Sequence, residues 1–192
     1  MKIVAFNGSP RRKGNTETLI QTVFRVLEKE GMETEMIQLG NKPVQGCTAC
    51  LECREKKDGK CHIKNKTLNL CIEKMREADG ILLGTPVYFA DVTSEMKALI
   101  DVAGYVNRGN GNFLRRKAGA GVIAVRRGGA LHAFATINNF FLINEMIVPG
   151  SSYWNFGMGK NPGDVLNDAE GIKTMETLGE NMAWLLKRLK DN

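Results

Sequence analysis

Four of the five cysteines in this 192-residue chain, Cys47, Cys50, Cys53 and Cys61, fall in one short stretch with the spacing Cys-x2-Cys-x2-Cys-x7-Cys. The first three are spaced like the opening of an iron–sulfur cluster loop, and the fourth completes a four-thiolate set. Tetrahedral zinc also takes four thiolates, although its usual pattern is two separated pairs. Free thiols or a redox disulfide are the third reading. An odd total argues against a complete disulfide framework. Cysteines grouped in a chain with no features of export point to metal or redox chemistry. The fifth, Cys71, falls on the apolar stripe of a predicted helix and reads as core.

A second chemical stretch is Gly8-Ser9-Pro10-Arg11-Arg12-Lys13-Gly14-Asn15-Thr16. Gly8 and Gly14 permit tight turns and close approach of backbone to a ligand. Asn15 and Thr16 are good N-cap types, which leaves amides free for an anion at the start of a helix. Ser9 and Thr16 add hydroxyls, and Arg11 adds a charge-assisted fork for phosphate oxygens. The plainer alternative is a polar strand-to-helix turn. The stretch lacks the Gly-Lys-Ser/Thr ending of a P-loop and the three-glycine dinucleotide fingerprint, which argues against nucleotide hydrolysis.

The elements that must position these residues alternate between short apolar strands and amphipathic helices. Residues 2–7 form an apolar strand, and 17–29 place Leu19, Val23, Val26 and Leu27 on one helical stripe. Residues 33–39 alternate like a strand with one exposed face, and the cysteine segment, about 46–62, interrupts as a long loop of the functional kind. A helix carries Leu68, Cys71, Ile72 and Met75, and 80–85 form a strand ending at Pro86. A helix follows over about 93–106, then a strand at 119–125. A helix carrying Leu131, Phe134, Ile137 and Phe141 and a short fifth strand at 146–148 come next. The last helix spans about 170–190, with Ile172, Met175, Met182, Leu185 and Leu189 inward. Five strands alternating with five helices predict one α/β domain over 1–192, a three-layer sandwich around a parallel sheet. The flavodoxin-like strand order 2-1-3-4-5 is the natural small version. It places ligands beyond the carboxyl ends of the strands, where the loops after Asn7, Thr85 and Val125 lie.

Bulk properties bound the function. The apolar fraction of 43% and charged fraction of 25% are those of an ordinary soluble globular protein. No apolar run approaches the roughly 18 residues that span a bilayer, and the first eight residues are too short an apolar run for an export signal. The expected location is the cytoplasm, with no membrane partner. The net charge of +6 is scattered, with modest clusters at 11–13, 115–117 and 126–127. Small anionic ligands explain such clusters as well as a polymer does, so nucleic-acid binding is not expected.

The motifs together resemble a known group. Asn7-Gly8-Ser9-Pro10-Arg11 with Gly14-Asn15-Thr16 is similar to the phosphate loop of the NADPH-dependent FMN reductase group of flavodoxin-like proteins. Gly84-Thr85-Pro86-Val87-Tyr88-Phe89, followed by Ser94-Glu95-Met96-Lys97 and Ile100-Asp101, resembles its second flavin loop and helix. Arg127-Gly128-Gly129 resembles the third. The cysteine spacing resembles that of iron–sulfur flavoproteins, a branch of the same group. This chain differs just after the last cysteine, where His62-Ile63-Lys64-Asn65-Lys66 stands in place of an acidic pair that many relatives carry.

The resemblance implies FMN in the loop edge, with the backbone of Pro86, Val87, Tyr88 and Phe89 holding the isoalloxazine. Gly128 and Gly129 would pass close to its pyrimidine end, and Arg127 would offset charge at N1–O2. It implies a [4Fe–4S] cluster on the four cysteines, with Arg54, Lys56, Lys57, Lys60 and Lys64 offsetting its charge. The expected function is an electron-transfer flavoprotein in which the cofactors do the chemistry, without a general base. The alternatives are a cluster-free NAD(P)H-dependent FMN or quinone reductase, with Arg12 or Arg115 meeting the cosubstrate phosphate, and a non-enzymatic flavodoxin-like carrier. A redox partner protein or small-molecule acceptor is expected. So is a homodimer or homotetramer with contacts at 109–112 and 153–159. His132 reads as structural, and the aromatic run 153–157 as a loop after the last strand.

Overall fold

The structure, a computed structural model, describes residues 1–190. Its elements in chain order are β1 (Lys2–Asn7), α1 (Asn15–Lys29), β2 (Glu33–Gln38), α2 (Glu52–Lys56), α3 (Lys66–Glu77), β3 (Gly80–Pro86), α4 (Ser94–Gly109), β4 (Ala118–Val125), α5 (Ala130–Ile143), β5 (Phe156–Met158), a 3-10 turn (Asp164–Asn167) and α6 (Ala169–Lys190). The five strands are all parallel, in the order β2-β1-β3-β4-β5. This is the flavodoxin-like order expected for a small sheet of this kind.

Strand pleating divides the core in two. Ile3 and Ala5 of β1, Leu82 of β3 and the even-numbered residues 118–124 of β4 pack under α1 and α6. Val4 and Phe6, Ile81 and Leu83, and Ile123 and Val125 face the opposite way, under α3, α4 and α5. Cys71 is fully buried in that second layer. Burial pushes its thiol up to about 12, so it behaves as a small core residue.

The fifth strand is not where the apolar run 146–148 places it. Ile147 makes a single bridge to Ala118, and then Pro149, with no N–H to donate, and Gly150 end the pairing. The ladder resumes at Phe156–Met158, against Ile123–Val125. Tyr153 and Trp154 therefore precede β5 rather than following the last strand, and both are exposed. Three further expectations change. A five-residue helix, α2, lies inside the cysteine segment. Leu131 and Leu189 point outward. Helix α1 begins at Asn15 with Gly14 as its cap residue, so Asn15 and Thr16 belong to the first turn.

Candidate functional site

The carboxyl edge of the sheet forms an open cleft. Eight of the sequence-selected residues line it: Ser9, Arg11, Gly14, Asn15 and Thr16 from the first loop, and Pro86, Val87 and Tyr88 from the second. Buried polar residues at the strand ends shape the first loop. Asn7 Oδ1 accepts from the Ser9 amide (3.0 Å), and Asn7 Nδ2 donates to Gln38 Oε1 (3.1 Å). Gln38 Nε2 in turn donates to the Ser9 carbonyl (2.5 Å). Gly40 makes this approach possible, because a Cβ there would stand 2.1 Å from the Ser9 oxygen. The Thr93 hydroxyl donates to the Gly8 carbonyl (3.0 Å) and its amide donates to Thr85 Oγ1 (3.1 Å), tying all of this to β3 and α4. A polar residue ending an otherwise apolar strand, as Asn7 and Thr85 do, is the sequence signal that would have found this scaffold.

Two features of the first turn of α1 suit an anion. Among the described residues the amides of Asn15, Thr16 and Glu17 have no acceptor, as expected at a helix start. The Thr16 hydroxyl is buried, lines the cleft and has no hydrogen-bond partner. A buried unpaired hydroxyl costs roughly 1–3 kcal/mol, so a donor or acceptor is missing there. Asn15 does something else. Its Oδ1 accepts from the amides of Gly163 (2.9 Å) and Val165 (3.4 Å), which holds the 159–163 segment as a further wall. Gly159, Lys160 and Pro162 of that segment line the cleft, and Arg11 Nη1 donates to the Lys160 carbonyl (3.4 Å). Lys160 and Pro162 were not singled out from sequence, and Gly159 only as the end of an expected subunit contact.

The second and third loops depart from expectation. The Val87 amide donates to the Ala124 carbonyl (2.9 Å), and the Tyr88 amide to the Asp91 carbonyl (2.8 Å). Pro86 has no amide, so of the four expected ring-holding residues only Phe89 keeps an N–H without an acceptor. Phe89 itself lies outside the cleft lining, fully exposed, with φ of 46° beside Ala90 at 67°. Two left-handed residues at the tip of a tight hairpin are the geometry of a type I′ turn. Arg127, Gly128 and Gly129 are likewise outside the lining, and Arg126 occupies it instead. Gly129 caps α5 with φ of 88°, packed so closely on the 88–91 turn that a Cβ would meet the Ala90 Cα at 2.8 Å. His132 stands on α5, 3.5 Å from Asp91.

The basic cluster 115–117 is on the opposite, amino edge of the sheet. Arg115 pairs with Glu145 (2.9 Å). Lys117 Nζ donates to the carbonyls of Met75 (3.1 Å), Arg76 (2.5 Å) and Ala78 (2.5 Å), closing the end of α3. Burial holds the Lys117 amine below the usual lysine range. Arg115 is therefore far from any ligand in the cleft.

The cysteine segment folds against α3 and α4. Cys47, Cys50, Cys53 and Cys61 together line a small pocket, backed by Val102, Tyr105 and Val106 of α4. Burial pushes the Cys53 and Cys61 thiols up, with the neighbouring cysteines adding to the rise. The four sulfurs thus lie within electrostatic reach of one another. Among the described residues, no group of three or more His, Cys, Asp or Glu is arranged to hold a single metal ion. No helix among them is long and apolar enough to cross a membrane.

A parallel sheet in this order, with an anion-ready helix start and an open slot at its carboxyl edge, defines a flavodoxin-like flavoprotein. The chain belongs to the NADPH-dependent FMN reductase family, whose profile matches residues 1–161. It is 40% identical to an iron–sulfur flavoprotein of Methanocaldococcus jannaschii, over 99% of this chain and all of that one. Among solved structures it is similar to RosB with a bound intermediate, 8-demethyl-8-formylriboflavin-5'-phosphate. The TM-score is 0.80 at 21% identity, covering 100% of this chain and 81% of that one. A flavodoxin from the domain Archaea matches with a TM-score of 0.63 at 16% identity, covering 97% and 99%. At such identities the structural matches establish the fold alone.

Proposed function

We propose that this oxidoreductase holds FMN with its phosphate on the first turn of α1, and a [4Fe–4S] cluster on Cys47, Cys50, Cys53 and Cys61. The observation that carries the flavin placement is the buried, unpartnered Thr16 hydroxyl beside three open amides. Ser9, Arg11 and Lys160 complete a phosphate site, and the helix start favours the negative charge. Pro86, Val87 and Tyr88 form the ring slot. The role expected of Arg127 passes to Arg126, which lines the cleft with Tyr88 and would offset negative charge developing on the ring. FMN held there would supply hydride or two-electron uptake with release of single electrons, and NADPH is the donor that the family description names.

The spacing of the four cysteines supports the cluster rather than zinc. With Zn–S bonds of about 2.3 Å, a zinc site needs its four sulfurs within about 4 Å of each other. A four-iron cluster is a larger body that sets its thiolates farther apart, and the Cys-x2-Cys-x2-Cys run is the opening of such a cluster loop. The relatives named as iron–sulfur flavoproteins agree with this reading. Electrons would pass to a redox partner or small acceptor in the cytoplasm, from a homo-oligomer with exposed Tyr153 and Trp154 as candidate contacts. A cluster-free NAD(P)H-dependent reductase is the second reading, favoured by the lack of a ready-made metal site among the described residues.

The test is an absorption spectrum of anaerobically purified protein, with FMN, iron and acid-labile sulfide counted per chain. Flavin with about four irons supports the full proposal. Flavin without iron leaves the second reading, and no flavin even after adding FMN overturns both.

A further inference from the structure

The cysteine segment is fastened to the scaffold by asparagine side chains that grip main chain. Asn69, on α3, closes a two-bond ring on Cys61: its Oδ1 accepts from the Cys61 amide and its Nδ2 donates to the Cys61 carbonyl, both at 2.8 Å. Asn110, which caps α4, donates to the Cys53 carbonyl (3.0 Å) and to the Val106 carbonyl (2.7 Å), and accepts from the Gly59 amide (2.7 Å). Asn65, buried at the start of α3, pairs in the same two-way manner with Gln45 (3.3 and 2.6 Å). The segment is therefore pinned at residues 45, 53, 59 and 61.

The intervening stretch with Cys47 and Cys50 is different. Among the described residues, no hydrogen bond runs from α3 or α4 to Cys47 or Cys50; the one bond there is local, from the Ala49 amide to Cys47 Sγ (3.4 Å). Ala49 and Leu51 are left-handed, Cys50 is exposed, and Cys53 is buried. Two thiols sit on clamped backbone; of the other two, half-buried Cys47 packs on the core without such a clamp, and Cys50 is exposed.

We propose that Asn69 and Asn110 are positioning residues that preset Cys61 and Cys53 before anything binds, with Cys47 and Cys50 closing the site afterwards. The inference rests on the cysteine reading above only for what is bound; the preset pair is a property of the chain itself. Groups that orient ligands in this way typically carry 10–100-fold in metal affinity.

The test uses full-length, FMN-loaded, iron-free protein and iodoacetamide, with alkylation followed at each cysteine by mass spectrometry. In the wild type, Cys47 and Cys50 react first. Asn69→Ala speeds Cys61 selectively and Asn110→Ala speeds Cys53 selectively, while buried Cys71 stays unreactive and certifies the fold. Asn69→Asp, which keeps the acceptor for the Cys61 amide and loses the donor, falls between. After anaerobic reconstitution with ferrous iron and sulfide, both alanine variants lose iron to a chelator at least about tenfold faster. Unchanged Cys53 and Cys61 rates overturn the proposal, and so does a rise of all five cysteines together. If the wild type takes no iron but the selective pattern holds, the cluster reading falls and the positioning roles stand.

Discussion

Asn15 Oδ1 accepts a hydrogen bond from the Gly163 amide at 2.9 Å, joining residues 148 positions apart across the mouth of the cleft. One side chain on the first turn of α1 thereby sets where Lys160 and Pro162 stand. Replacing Asn15 with alanine removes acceptors for two amides while leaving the turn itself a good helix former. The 159–163 wall loosens, and FMN affinity falls about tenfold, the equivalent of one hydrogen bond of roughly 1.4 kcal/mol. Fluorescence titration with FMN checks this, and an unchanged dissociation constant would mean that the wall contributes nothing to the bound flavin.

Thr16→Val separates the ligand-binding role of the hydroxyl from its packing role. The substitution keeps the shape of the side chain and deletes the one buried cleft hydroxyl that has no partner. In the flavin-free protein the melting temperature therefore holds or rises, because an unsatisfied polar atom is gone. In the same variant FMN binds about 10-fold to 100-fold more weakly, since a phosphate hydrogen bond is worth roughly 1.5–3 kcal/mol. A drop in flavin-free stability with unaltered affinity would place the hydroxyl in the fold and not in the site.

Arg126 and Arg127 make a paired comparison. Both are exposed, and only Arg126 lines the cleft. Arg126→Ala is expected to weaken FMN and to lower the flavin's reduction potential, by making a negative charge on the reduced ring harder to hold. Arg127→Ala changes neither beyond about twofold, as is usual for a solvated charge. Potentiometric titration of both variants decides the assignment, and equal effects would return Arg127 to the site.

That comparison also shows what sequence could and could not reach. Alternation pointed to a parallel sheet covered on both faces, the common small version of that architecture supplied the strand order, and the first loop followed from glycines and hydroxyls at a strand-to-helix junction. Which of two adjacent arginines lines the cleft depends on strand parity. Ala124 and Arg126 share a side because side chains alternate, and that parity has meaning only once the face carrying α1 is known. The fifth strand was misplaced because 146–148 is the more apolar run, while Phe156-Gly157-Met158 pairs only through a long return of chain past Pro149. The asparagines that clamp the cysteine segment carried no signal in the sequence reading. Their partners lie 8 to 57 positions away, beyond any local pattern.

The far end of the sheet carries a pH response independent of the cleft. Glu35 on β2 accepts from Lys2 Nζ (2.7 Å) and Lys74 Nζ (3.0 Å). The hydrogen bond from Lys2, then that from Lys74, holds its carboxyl below the ordinary glutamate value of 4.5. A carboxyl lowered on folding contributes stability that is complete above the unfolded value and is lost as pH falls through the folded one. Lys2, raised above 10.5 chiefly by its bond to Glu35, contributes in the opposite sense: fully below 10.5, and lost as pH rises through its folded value. Wild-type stability from this cluster is therefore flat between those limits and declines on both sides. In Glu35→Gln the cluster's share of both declines is reduced, and the melting temperature at pH 7 falls modestly because the pair is partly exposed and screened. Thermal melts from pH 3 to 11 at low and high salt measure this. An acid limb identical in the two proteins would assign the acid loss to other carboxylates.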